Sequence, residues 1–213
     1  MRQYDLIVFD WDGTLMDSAD DIVYCIQQAA LDMELQPVAD DQARQIIGLG
    51  LKEAVEKLFP GRDDTFVAQL ADRYRFHYHE SDIQSGLFPH AENVLSTLQS
   101  QQYKLAVATG KSRRGLDDVL EQTALQTFFH TTRCADESGS KPDPAMLYHI
   151  LQSLEVDASR ALMVGDTEYD LEMASSAGVA SIGVSFGVHD VMQLKRHNPL
   201  AIIDRLDHLL TLL

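Results

Sequence analysis

From residue 86 to the C-terminus the sequence repeats one pattern, a short apolar run followed by a stretch of helical periodicity. The runs "KLAVATG" (104–110), "RALMVGD" (160–166), "VASIGVS" (179–185) and "LAIID" (200–204) read as strands. An earlier run, residues 5–9, belongs to the same set. Between them, one helix begins at Ser112 as N-cap, with Leu116, Val119 and Leu120 on one face. A second starts after Asp143, with Pro144 at the first helical position, where its missing N–H costs nothing. A third runs from about 168 to 177 and stops at Gly178. Strands that alternate with helices imply an α/β fold, a parallel sheet covered on both faces.

Residues 17–85 break the pattern, for they carry helical periodicity and no convincing strand. Ser18 with Asp21 resembles a capping box, and Ile22, Val23, Ile26, Ala29, Ala30 and Met33 form an apolar face. Leu51, Ala54, Val55 and Leu58 make a shorter helix, closed by "FPGRDD". Phe66, Val67, Leu70, Ala71, Tyr74 and Tyr78 make a longer one. The 213 residues therefore divide into a Rossmann-like core, 1–16 and 86–213, and a small inserted all-helical unit, 17–85. The chain crosses between them at 15–20 and 83–87, with Gly86 giving the second crossing backbone freedom.

The net charge of −16 argues against nucleic acid or an anionic membrane as partner, since both require a basic footprint. Any anion site must be made attractive locally. Two distant cysteines, Cys25 and Cys134, in no C-x-x-C arrangement, argue against a disulfide framework or a zinc site. With no signal peptide or transmembrane run, the expectation is a soluble protein of the reducing cytoplasm; the oligomeric state stays open.

In an open parallel sheet, ligands bind beyond the carboxyl ends of the strands. Asp10 and Asp12 follow the first strand, and Thr109 and Gly110 end the second. Gly165 and Asp166 end a third, with Asp170 one helical turn further on, and Lys141 lies in the loop "SGSKPDP" on the same rim. Asp10 and Asp12, two positions apart on an extended chain, point to the same side and repel each other. Four acids held together require a cation, and hard oxygen ligands suit Mg²⁺. Like-charged neighbours also raise one pKa, so that one acid attacks while the other carries a proton for a leaving group.

In order, "DWDGT", "ATG", "KPDP" and "GDTEYD" resemble the four motifs of the haloacid dehalogenase-like phosphohydrolases. "DGTLMDSADDI" and "IIGLGLKEAV" are similar to the phosphoglycolate phosphatases and related sugar-phosphate phosphatases. The resemblance covers nearly the whole chain, with residues 17–85 standing where that family carries its cap. It implies Mg²⁺-dependent hydrolysis of a small phosphorylated metabolite. Asp10 is then the nucleophile and becomes an aspartyl phosphate. Asp12 is the general acid and later base, and lends its backbone carbonyl to the metal. Thr109 and Gly110 hold phosphate oxygens, and Lys141 neutralises the nucleophile and the transferring group. Asp166 ligates the metal, and Asp170 does so directly or through a water. Trp11 departs from the small or aliphatic residue usual between the two acids, with a consequence expected for packing behind the loop. Asp12 argues for ester chemistry, since the family's dehalogenases and phosphonate hydrolases lack it.

Rivals are a phosphomutase of the β-phosphoglucomutase kind, a pyrophosphatase and, from another class, a phospho-accepting signalling module. "HYHE" (77–80) reads as a solvated helix face rather than a metal site, because i and i+2 diverge on a helix. Arg44 and Lys52 read as surface residues, and the glycine-rich loop 48–52 as the segment of the helical unit that faces the site.

Overall fold

The computed structural model describes residues 2–80 and 85–213. Part of the second expected crossing, Ile83 included, lies outside the described residues.

The first strand, β1 (Leu6–Phe9), is followed by the helices α1 (Ala19–Asp32), α2 (Asp40–Arg44), α3 (Leu51–Leu58) and α4 (Asp64–Glu80). Then come α5 (Ala91–Ser100), β2 (Lys104–Thr109), α6 (Arg113–Thr123), β3 (Thr131–Cys134), α7 (Ala135–Ser138) and α8 (Ala145–Leu154). The chain closes with β4 (Ala161–Gly165), α9 (Glu168–Ser176), β5 (Ala180–Val184), α10 (Val191–Lys195) and β6 (Ala201–Ile203). The six strands form one parallel sheet in the order β3-β2-β1-β4-β5-β6. This is the doubly wound order, and its direction reverses at the boundary of β1 and β4, where such sheets open a crevice. Asp10 and Asp166 are the residues that leave those two strands.

Both faces of β1 are buried. Ile7 and Phe9 join Val107, Val164, Leu95, Leu98 and Leu116 on one side. Leu6 and Val8 join Ala106, Met163, Met146, Ile150 and Met173 on the other. A separate apolar cluster built from Ile22, Val23, Ile26, Val55, Val67 and Leu70 holds α1 to α4 together. The two stretches of chain that flank these helices run side by side, Asp17 N–H donating to the Gly86 carbonyl and Phe88 N–H to that of Leu15, both at 2.9 Å. No helix among the described residues is long and apolar enough to cross a membrane.

Three expectations are corrected. Strand β3 stands where no apolar run predicts one. Pro144 sits at the N-cap of α8 rather than inside it, and the Asp143 carboxylate accepts the freed Ala145 N–H at 2.8 Å. Ser18 is the N-cap residue of α1 but makes no capping bond, because its hydroxyl donates to Asp12 at 2.5 Å. Asp21 accepts instead from the hydroxyl of Ser85.

Trp11 is fully buried in the core cluster, edge-on to Phe129, with its indole N–H 3.1 Å from the sulfur of Met16. It anchors the turn after β1 from behind.

Candidate active site

Beyond Phe9 the chain stops being extended. The amides of Leu15 and Met16 both donate to the Trp11 carbonyl, and Gly13 takes a positive φ of 82°. A side chain at Gly13 would also collide with Asp166, whose Oδ2 lies 2.2 Å from where a Cβ would be. Only glycine meets both demands. This turn begins as soon as the chain has passed Asp12.

Asp10 groups with Asp166 and Asp170, one carboxylate oxygen of each lying within 4.8 Å of the others. All three are buried, and so is Lys141. Lys141 Nζ stands 2.6 Å from Asp10 Oδ1 and 2.7 Å from Asp170 Oδ1, ion pairs that are short though poorly aligned as hydrogen bonds. The other oxygen of Asp170 accepts from the amide and hydroxyl of Thr167, the N-cap of α9. Asp166 accepts from the Thr14 hydroxyl and the Val188 amide, each at 2.9 Å. Asp10 Oδ2 is buried and receives no donor among the described residues.

One ammonium does not balance three buried carboxylates. Burial first, and the charge of Asp170 second, push the Asp10 carboxyl well above its usual range against the pull of Lys141. The same two causes push Asp166 up to about 7, opposed by the Val188 and Thr14 hydrogen bonds. Burial works against the charge of Lys141, but Asp10 and Asp170 outweigh it and hold the ammonium protonated. An uncompensated buried charge costs several kcal/mol, whereas an exposed pair returns at most about 1 kcal/mol. Such a cluster is costly as a structural device. Three hard oxygen donors and one orphaned carboxylate oxygen fit a divalent cation.

Asp12 has partners of its own. Its Oδ1 takes the Ser18 hydroxyl and, at 3.0 Å, the ammonium of Lys111, a pair that is almost fully buried. Lys111 also donates to the Tyr78 hydroxyl at 2.9 Å and lies over that ring, 4.7 Å from its centre. Burial disfavours its charge, and the carboxylate of Asp12 more than restores it. Thr109 is buried at the end of β2 and accepts the Lys111 amide at 3.2 Å. Gly110 packs against the backbone of the helical unit, so that a Cβ there would lie 2.4 Å from the Leu49 carbonyl oxygen.

A cavity of about 910 Å³ opens beside Asp12, Gly110 and Lys111, walled by Ile22, Ile26 and Tyr74 of the helical unit. The loop 48–50 lines it too. Lys52 stands at its edge within 3.8 Å of Glu56 and Asp64, and Arg44 pairs with Asp20. In the "HYHE" segment, His77 meets Asp32 at 2.8 Å.

A model of the family described as haloacid dehalogenase-like hydrolase matches residues 7–184. The chain belongs to that family. It is 36% identical over 206 residues to "Probable phosphatase IndB" of Dickeya dadantii, covering 93% of this chain and 89% of the relative. It is 31% identical to a phosphoglycolate phosphatase of Aliivibrio fischeri, covering 98% and 96%. The crystal structure of a predicted phosphoglycolate phosphatase from Haemophilus somnus superposes with a TM-score of 0.86 at 26% identity, over 100% and 99% of the two chains. The protein is a phosphatase similar to the phosphoglycolate phosphatases of this family.

Four of the expected residues, Asp10, Asp166, Asp170 and Lys141, therefore meet directly. Thr109 and Gly110 end the neighbouring strand, and Asp12 lies apart from the carboxylate cluster. Lys111, Ser18 and Thr14 were not anticipated at the site. Two of them carry a signal, Thr14 as the last residue of "DWDGT" and Lys111 by its position directly after Thr109 and Gly110 at a strand end.

Proposed function

We propose that the protein hydrolyses a small phosphate monoester, of the phosphoglycolate or sugar-phosphate type, through an aspartyl phosphate on Asp10. The observation that carries this reading is the buried Asp10 carboxylate, paired with Lys141, grouped with Asp166 and Asp170, and left with one oxygen that no donor satisfies. Asp10, Asp166, Asp170 and the backbone carbonyl of Asp12 would hold Mg²⁺. When bound, that ion supplies positive charge to the phosphoryl oxygens and to the carboxylates.

Asp10 attacks phosphorus while Asp12 gives its proton to the departing ester oxygen. In the second half Asp12 takes a proton from water as that water displaces Asp10. Lys141 pairs with Asp10, opposing the effect of its burial, and offsets charge on the transferring group, while Thr109 and the Gly110 amide hold phosphoryl oxygens. Residues 17–85 act as a cap over a core of 1–16 and 86–213, and the cavity beside Asp12 receives the leaving group. The acidic chain, without a membrane-crossing helix among the described residues, fits work in the cytoplasm.

The test is to incubate the Asp12→Asn variant with acetyl phosphate and Mg²⁺ and to locate the phosphoryl group by mass spectrometry. The expected site is Asp10, with none incorporated when Asp10→Asn is added. Turnover by Asp10→Asn at the wild-type rate would refute the reading.

A further inference from the structure

Lys111 is a buried ammonium for which the mechanism above has no use. It is the sixth residue of "KLAVATGKS" after Leu105, on the turn between β2 and the N-cap Ser112 of α6, and it spends its donors on one core carboxylate and one tyrosine of α4.

The choice of oxygen matters. Both donors that reach Asp12, Ser18 Oγ and Lys111 Nζ, go to Oδ1. Among the described residues no donor is recorded to Oδ2, and Asp12 lines the cavity that takes the leaving group. A carboxylate whose one oxygen is pinned twice has lost its freedom to turn about the side-chain bond. The unpinned oxygen is then the one that can carry a proton to an ester oxygen. Both pins also lead to the helical unit, since Ser18 begins α1 and Tyr78, near the end of α4, accepts from Lys111.

We propose that Lys111 is a positioning residue for the general acid: it fixes Oδ1 of Asp12 so that Oδ2 faces the leaving group, and Tyr78 makes that hold depend on the seating of α4. The proposal rests on the phosphatase reading above, with Asp12 as proton donor. The balance is simple. As the bond between phosphorus and the ester oxygen breaks, its electron pair takes the proton from Asp12 Oδ2; Lys111 keeps all its protons throughout.

A residue that acts only through the acid has a distinctive signature. General acid catalysis is worth roughly 100-fold or more for a leaving group that must be protonated, and little for one that leaves as a stable anion. The experiment compares Lys111→Met with the wild type on phosphoglycolate, or on the best alkyl ester of a sugar-phosphate panel, and on acetyl phosphate. With the alkyl ester kcat should fall about 100-fold while KM stays within about threefold; with acetyl phosphate kcat should fall less than about threefold. Tyr78→Phe, which keeps the ring in the fold, should show a smaller loss with the same bias toward the alkyl ester, and it serves as the test should Lys111→Met not fold. Equal losses on both esters, or a raised KM at unchanged kcat, would overturn the proposal and leave the phosphatase reading standing. A wild-type protein inactive on every ester would overturn both.

Discussion

The backbone amide of Gly50 donates at 2.7 Å to the hydroxyl of Ser140, the residue before Lys141. The helical unit is thus bonded to the same loop that carries the ammonium beside Asp10. A second contact, the Leu49 carbonyl against Gly110, brings it down onto the turn that carries Lys111. The loop 48–52 was expected to face the site, and it does so by touching the core. A larger residue at Gly50 would meet Ala135 at 3.0 Å, so bulk there interferes with seating before it can alter the choice of ester.

Gly110→Ala gives the cleanest test of that seating. The new methyl would meet backbone carbonyls, which cannot swing aside as a side chain can. Overpacking costs about 1–3 kcal/mol, and kcat/KM should fall by about ten- to a hundredfold. Ser140→Ala removes one bond and no space, so its loss should be only a few-fold. Steady-state kinetics on the two variants check both values, and a Gly110→Ala enzyme at wild-type kcat/KM would show that this contact is not made during turnover.

Asp10→Asn should separate activity from stability. The change removes the attacking oxygen's charge, so turnover should drop by at least about 1,000-fold. It also relieves the crowding of Asp10 with Asp166 and Asp170, while Lys141 keeps Asp170 as partner. Thermal unfolding in chelator at pH 8 should therefore occur at a temperature no lower than that of the wild type. A marked fall would mean that the Asp10–Lys141 pair holds the fold together.

The metal-free protein should lose stability as pH rises. Asp166 carries its proton up to about 7 when folded but only to about 3.8 when unfolded. Between those values the native state binds more protons than the unfolded one, so stability declines with increasing pH. Asp10, raised by burial and by Asp170, acts in the same direction. In chelator the Tm at pH 5 should exceed that at pH 7.5, and Mg²⁺ should raise the Tm more at pH 7.5 than at pH 5. A Mg²⁺ effect equal at both pH values would refute the coupling.

The cavity beside Asp12 has far more room than a two-carbon leaving group fills. Ile22 and Ile26 form part of its apolar wall. Ile22→Phe should lower kcat/KM for sugar-phosphate esters by about tenfold and leave acetyl phosphate within about twofold, since only the larger group reaches that wall. A substrate panel reads the difference, and parallel losses on both would place the leaving group elsewhere.

Five of the six strands were legible because each is a run of apolar residues, wholly or mostly buried in β1, β2, β4 and β5 and partly so in the edge strand β6. Strand β3 was not. Its sequence is "TTRC", it lies at the sheet edge beside β2, and only Cys134 is fully buried. The strand-end rule points to Asp10, Asp166, Asp170, Lys141, Thr109 and Gly110 because topology brings carboxyl ends together whatever the side-chain detail, and the first four do lie together. Asp12 stands outside the group of Asp10, Asp166 and Asp170, held instead by Ser18 and Lys111. Ser18 looked like a helix cap for a sound local reason, and a partner six residues away outbid the local bond. Lys111 beside a helix start looks solvated in sequence. Its burial is decided by Tyr78 and Asp12, which meet it only in the folded chain.

The side-by-side passage of residues 15–17 and 86–88 has a further consequence. The chain leaves the sheet and returns to it through one paired doorway, so no strand register depends on how much chain lies between. The pairing of β1 with β4, which brings Asp10 beside Asp166, is set within the sheet. What lies beyond the doorway meets the site through contacts of its own, such as Gly50 with Ser140 and Tyr78 with Lys111.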